Sequence, residues 1–289
     1  MSRRGALLFA AMSIIWGLPY LLIRVAVRDL SPATLVTART LIGSLLLLPF
    51  AAKSSVLRPL LQHWRPLLLY TAAEVTMPWL LLSRAEQHLT SSFTGLLVAA
   101  APLIAVLLGR LVGTESAIDG RRVLGMVVGL AGVAALLGLD TSAIDFAAVG
   151  EMALVATGYA LGPIVLSKRL SGLSSIGVTW VALTITALVY LPFARVPQHV
   201  TGETVASVII LGIVCTALAF LIFFALILDV GPSRALVITY LNPVVALLLG
   251  VTILNEQVST GMLVGFPLVL LGSYLATRSD REPALAAAA

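Results

Sequence analysis

Apolar residues fill the chain in long blocks, and polar residues collect in the short connectors between them. The blocks fall at 5–27, 33–52, 66–82, 92–109 and 123–139, and then at 146–167, 176–193, 205–228, 235–254 and 261–277. Each is about 17–25 residues long, enough to cross the hydrocarbon core of a bilayer as a helix. Only helices and closed barrels satisfy every backbone group in lipid, and near-continuous apolar character excludes a barrel's alternation. The pattern predicts an all-α integral membrane protein with ten transmembrane helices.

Composition agrees: 60% of residues are hydrophobic, 11% are charged, and the mean hydropathy is +1.07. A net charge of +5 would suit nucleic acid only on a soluble basic face, and here the basic residues sit between apolar blocks, so no nucleic-acid partner is expected. Cys215 is the only cysteine, which excludes a disulfide framework and a cysteine metal site. The first block follows Ser2, Arg3 and Arg4, is too long for a signal-peptide core and has no small-x-small pattern before Arg28, so it is expected to be the first span.

Basic residues favour cytoplasmic connectors. With the N-terminus inside, thirteen Lys and Arg fall on the cytoplasmic side, three (Arg28, Arg84, Arg195) fall outside, and Arg24 and Arg39 lie within helices. Both termini are predicted cytoplasmic, in a bacterial inner membrane. The Ala-rich tail, 279–289, is set apart from the folded chain.

The chain also repeats itself. Pro102, Gly109 and Glu115 recur as Pro243, Gly250 and Glu256 at one offset of 141, and with one deletion Gly125 and Gly132 map onto Gly265 and Gly272. The same offset pairs Gly17 with Gly158. This divides the chain into two five-helix repeats, 1–140 and 141–278. Five is odd, so the second enters the membrane from the opposite face, an arrangement used by secondary transporters that bind substrate near the midplane.

Trp16-Gly17, Arg39 and the twice-repeated block of Pro, Gly and Glu before a glycine-rich helix resemble the EamA family of the drug/metabolite transporter superfamily, over residues 5–278. The resemblance is nearest to the amino-acid exporters of that family. It implies two inverted repeats around a central cavity, alternating access, and export of amino acids, aromatic or broader in range, or of similar small metabolites. Drugs are the alternative cargo.

Candidate cavity residues are those that place chemistry deep in a block. Trp16 lies about 16 Å into helix 1 and Tyr159 lies at a similar depth in helix 6. Both are away from the interfaces where membrane aromatics gather, and each serves either as packing or as a cavity wall. Glu74, Met77 and Pro78 share helix 3. Pro78, Pro102, Pro163 and Pro243 free backbone groups within helices, and Thr94, Thr239 and Tyr240 add hydroxyls that either face a cavity or bond to a neighbouring helix. Glu74 has three readings: a partner for a substrate amine, a proton carrier, or a neutral acid between helices. Arg39 and Glu151 lie at similar depth and could form an ion pair, with a substrate carboxylate as the other use of Arg39. Glu115 and Glu256 read as helix-end or closure contacts. Gly125-x-x-x-Gly129 and Gly261-x-x-x-Gly265 permit close helix approach, either between the repeats or in a dimer.

Rival functions lack their residues. His63, His88 and His199 fall at helix ends or in connectors, with no His-Glu-x-x-His, so an intramembrane enzyme is not expected. No charged ring suits a channel, and no phosphate loop suits a nucleotide-driven pump. The expected partners are a small-molecule substrate and the bilayer, with a proton as a candidate coupling ion. No metal or cofactor is expected, and the oligomeric state is not legible.

Overall fold

The computed structural model describes residues 2–51, 53–113, 120–138, 145–195 and 197–277. Glu115 and the tail lie outside them. Within the described residues the chain is helical and contains no strand. In order the helices are α1 (Arg3–Ile15), α2 (Leu18–Ala26), α3 (Pro32–Ala51), α4 (Ser54–Gln62), α5 (Trp64–Thr71), α6 (Met77–Ala85), α7 (Ser91–Val98) and α8 (Ala101–Leu111). Then come α9 (Gly120–Gly138), α10 (Phe146–Arg169), α11 (Ser175–Tyr190), α12 (Gly202–Gly212), α13 (Ala219–Val230), α14 (Pro232–Ala235), α15 (Ile238–Leu254) and α16 (Thr260–Thr277).

Among the described residues eight stretches are long and apolar enough to cross a membrane: Arg3–Ala26, Pro32–Ala51, Ser91–Leu111, Gly120–Gly138, Phe146–Arg169, Ser175–Phe193, Gly202–Val230 and Thr260–Thr277. α15 is a shorter apolar helix. The stretch from α5 to α6, which carries Arg65, Glu74 and Arg84, is not among the eight.

Several blocks that read as single helices are jointed. α1 and α2 meet at Trp16-Gly17, where a Cβ on Gly17 would come within 2.5 Å of Val245 Cβ on α15. The absent side chain lets the joint touch that helix. α7 and α8 part just before Pro102, which opens α8 and has no N–H to continue the ladder. α5 and α6 are joined through a π turn, Ala72–Thr76, and α12 and α13 through another, Ile213–Leu218. A π turn is an inserted residue accommodated in one wide turn and is common at functional sites. α4 was not expected; Val56 and Leu60 on it pack against Gly177 at the start of α11.

The core forms where early helices meet late ones: α1 against α13, α2 against α12, α3 against α11, α6 against α10, α7 against α15 and α9 against α16. The last pair is the most intimate. A Cβ on Gly125 would lie 2.8 Å from Gly272 O, and one on Gly132 would lie 2.8 Å from Gly265 O. The glycine spacing thus serves a contact within the chain, backbone against backbone.

Candidate substrate site

Arg39 on α3 is buried, with only 7% of its surface exposed. Its guanidinium carbon sits 3.7 Å from the centre of the Trp79 ring on α6, and its Nε donates to Thr216 Oγ1 at 3.0 Å. Thr216 belongs to the second π turn and donates in turn to the carbonyl of Leu211, five residues back, at 2.8 Å. The wide turn therefore presents a hydroxyl acceptor to the arginine. A desolvated cation over an indole contributes about 2 kcal/mol, which offsets only part of the cost of burying the charge.

Around Arg39 lie Tyr20 on α2, Tyr159 on α10, Cys215 and Glu86, all close enough to act on it electrostatically. Glu86 caps the C-terminus of α6 and is fully buried. Neither of its carboxylate oxygens has a hydrogen-bond partner. Its main-chain carbonyl accepts from Arg24 on α2, so that arginine holds the helix end, with its charge also in the field of the Glu86 carboxylate.

The first π turn carries Glu74. Its side chain faces α10 at Gly162, where a Cβ would lie 3.0 Å from Glu74 Cβ, and its Oε2 is buried without a partner. Gly158, one turn earlier, makes room for Pro78 and Met77, 2.8 and 3.1 Å from where its Cβ would be. The turn is held by Thr76, whose hydroxyl pairs with Thr186 at 2.7 Å and whose carbonyl accepts from Tyr190 at 2.9 Å.

The other predicted residues are spread more widely. Trp16 is half-buried against α13, 4.6 Å from Phe223 and 6.0 Å from Phe220 between ring centres. The Thr94 hydroxyl donates to Thr90 O and the exposed Thr239 hydroxyl donates to Leu236 O, both within their own segments. Tyr240 reaches α16, with its hydroxyl 2.6 Å from Thr277 Oγ1, and Pro243 is buried inside α15. Glu151 pairs with Arg84 at 3.0 Å and does not pair with Arg39. A cleft of about 280 Å³ opens between Ser174 and Phe224, and another of about 200 Å³ opens between Leu30 and Val208. Neither is lined by a predicted cavity residue.

The end of the bundle opposite the chain termini is tied shut. Asn255 ends α15 in the left-handed conformation, φ 54°, and turns Glu256 toward the N-terminus of α7. There the Glu256 carboxylate accepts from Ser91 N (2.8 Å), Ser91 Oγ (3.0 Å), Ser92 N (2.9 Å) and Ser92 Oγ (2.5 Å). An anion at a helix N-terminus is favourable, and these charge-assisted bonds make the contact strong. Asp29 Oδ2 accepts from Thr201 and Thr204, and Thr34 bonds to Arg195. These bonds hold the Asp29 carboxyl below its ordinary pKa.

Sequence reading missed Glu86, because the third apolar block ends at Leu82 and the glutamate falls among connector residues. The signal was present. Leu82, Glu86 and Leu89 follow helical spacing, and all three are buried. Trp79 and Thr216 escaped notice as partners of Arg39 because contacts between distant segments leave no local pattern.

Apolar helices long enough to span a bilayer, with ionisable groups buried between them, define an integral membrane protein, and comparison with known proteins gives its family. The chain belongs to the EamA-like transporter family, whose pattern it matches twice, over residues 3–138 and 148–278. Similar proteins are an uncharacterized transporter of Archaeoglobus fulgidus, 22% identical over 98% of this chain and 100% of that one, and the uncharacterized transporter YvbV of Bacillus subtilis, 25% identical over 98% and 95%. The uncharacterized inner membrane transporter YedA of Escherichia coli K12 is 29% identical over 92% and 90%. A solved crystal structure shares the fold at a TM-score of 0.66 and 20% identity, covering 96% of this chain and 97% of that one. This protein is a multi-pass membrane transporter.

Proposed function

We propose that this transporter exports amino acids or similarly small metabolites across a bacterial inner membrane by alternating access. Ten spanning helices form two inverted halves, 1–140 and 141–278, with both termini in the cytoplasm and the substrate held near Arg39, Glu74, Trp79 and Tyr159.

The observation that carries this reading is the helix pairing. Exchanging the halves swaps the α1–α13 contact with the α6–α10 contact and returns α3–α11, α7–α15 and α9–α16 to themselves. A set of contacts unchanged by that exchange is what a two-fold axis between the halves produces, and five spans in each half put that axis in the membrane plane. The double family match and the two π turns at one offset, 213 − 72 = 141, support it independently. With the termini inside, the tied end faces outward, and the structure is the outside-closed state.

Glu74 carries the proton of the exchange. A carboxyl group within the membrane whose oxygen lacks a partner suits reversible protonation. Counterflow and gradient-driven uptake of labelled amino acids into proteoliposomes test both statements. Glu74→Gln is expected to keep counterflow and to lose accumulation driven by a proton gradient. Absence of counterflow for every amino acid would overturn the substrate class. Accumulation by Glu74→Gln at the parent's level across pH 5–8 would overturn the role of Glu74.

A further inference from the structure

Glu86 and Arg39 each hold unspent bonding capacity. Arg39 uses only its Nε on Thr216, and among the described residues no acceptor meets its two terminal nitrogens. The Trp79 ring beneath its Cζ and the Nε bond to Thr216 together restrict how the guanidinium can turn. Glu86 presents two acceptor oxygens, both buried and both without a partner. Glu86 ends the helix that carries Trp79, seven residues further on and so about 10 Å along its axis from the ring under Arg39, and among the described residues no ion pair joins the two groups. Of the other charges nearby, Arg24 bonds to the Glu86 carbonyl and partly offsets the carboxylate's charge without bonding to its oxygens, and Glu256 is held by Ser91 and Ser92.

Buried charges left unpaired are costly, and a ligand that pairs them recovers that cost as affinity. Three ligand classes can be weighed. A lone cation would satisfy Glu86 but enter a region that already contains Arg24 and Arg39. A lone anion would satisfy Arg39 and leave Glu86 bare. A zwitterion satisfies both and adds no net charge. An α-amino acid, with charge-assisted bonds of about 2.8 Å at each end, bridges protein charges roughly 8 Å apart, which suits groups that interact without touching.

We propose that Arg39 and Glu86 are the two poles of a zwitterion site, the guanidinium taking the substrate's carboxylate and the glutamate its ammonium group. This rests on the reading of the chain as an amino-acid transporter and adds the residues that recognise the backbone common to all amino acids. Specificity for the side chain then falls to other residues, and the range is broad. Glu86 lies five residues before Ser91, so it sits at the same end of the bundle as the Glu256 contact, and release of substrate at that end requires the contact to part.

The test is competition binding to the purified full-length protein, with the twenty common L-amino acids and their methyl esters and N-acetyl derivatives as probes. The parent is expected to prefer free amino acids over both derivatives by about 10- to 100-fold, the range for charge-assisted bonds. Arg39→Gln should abolish the preference over the methyl esters while keeping that over the N-acetyl forms. Glu86→Gln should do the reverse. Arg39→Lys, which keeps a cation beside Trp79, guards against a variant that fails to fold and should retain a reduced preference. The proposal is overturned if the parent binds either derivative as well as the free amino acid, or if the substitutions leave both preferences intact. If amino acids bind and exchange with those preferences unchanged, the zwitterion site alone is lost. If no amino acid binds or exchanges, the transport reading falls with it.

Discussion

Single residues tie helix ends together at the end of the bundle that holds Glu256 and Asp29, and Asp29 shows how that contact responds to pH. Its carboxylate accepts three hydrogen bonds from Thr201 and Thr204, at 2.9, 2.7 and 2.7 Å, which favour the charged form. A folded-state pKa below the ordinary 3.8 means that the stabilisation is present above that value and is lost as pH falls through the folded pKa. The difference in melting temperature between the parent and Asp29→Asn, measured in detergent, should therefore be constant from pH 8 to about pH 5 and should close below the ordinary carboxylate range. A difference that does not change down to the acid limit would detach the clasp from the charge on Asp29. At this scale the sequence was informative where a charge interrupted an apolar block, as Arg39 and Glu74 do. It was faint where a charge sat at a helix end, as Glu86 does: a connector and a buried cap have the same local composition, and only the spacing of Leu82, Glu86 and Leu89 marks the difference.

At the scale of elements, the glycines of α9 and α16 do what their spacing suggested, and they do it within the chain. A Cβ on Gly272 would fall 2.6 Å from Gly125 O, against backbone that cannot move aside. Gly272→Ala is expected to cost about 1–3 kcal/mol of stability, as overpacking does. Gly150, inside α10 with nothing within 4 Å of its Cβ position, is the contrast, and Gly150→Ala should stabilise by about 0.5–1 kcal/mol through helix propensity. Thermal or denaturant unfolding of the two variants checks both signs. The joints in the helices were only partly legible. Pro102 announced the break before α8, but the π turns lie in stretches where apolar residues outnumber the few polar ones too heavily for hydrophobic periodicity to carry a phase that an extra residue could disturb.

For the whole molecule, the length and number of apolar blocks made the helical membrane fold legible, while the pairing of early with late helices was foreshadowed only by the repeat. The proposed orientation is open to a direct check. In a Cys215→Ala background, single cysteines at Ser55 and Ser171 should react with an impermeant reagent only from the cytoplasm, and one at Gln198 only from outside. Reaction of positions 171 and 198 from one side would break the inverted arrangement. The two π turns carry a further consequence. Ala72–Thr76 and its counterpart, offset by 141, have no side chain in common at any matched position, yet both keep the extra residue. Under the two-half reading, a shared insertion is most simply inherited once, so the ancestor that was later copied already carried it. At every matched position at least one half has exchanged its residue while both keep the wide turn, so the backbone irregularity has been held more firmly than the side chains that fill it.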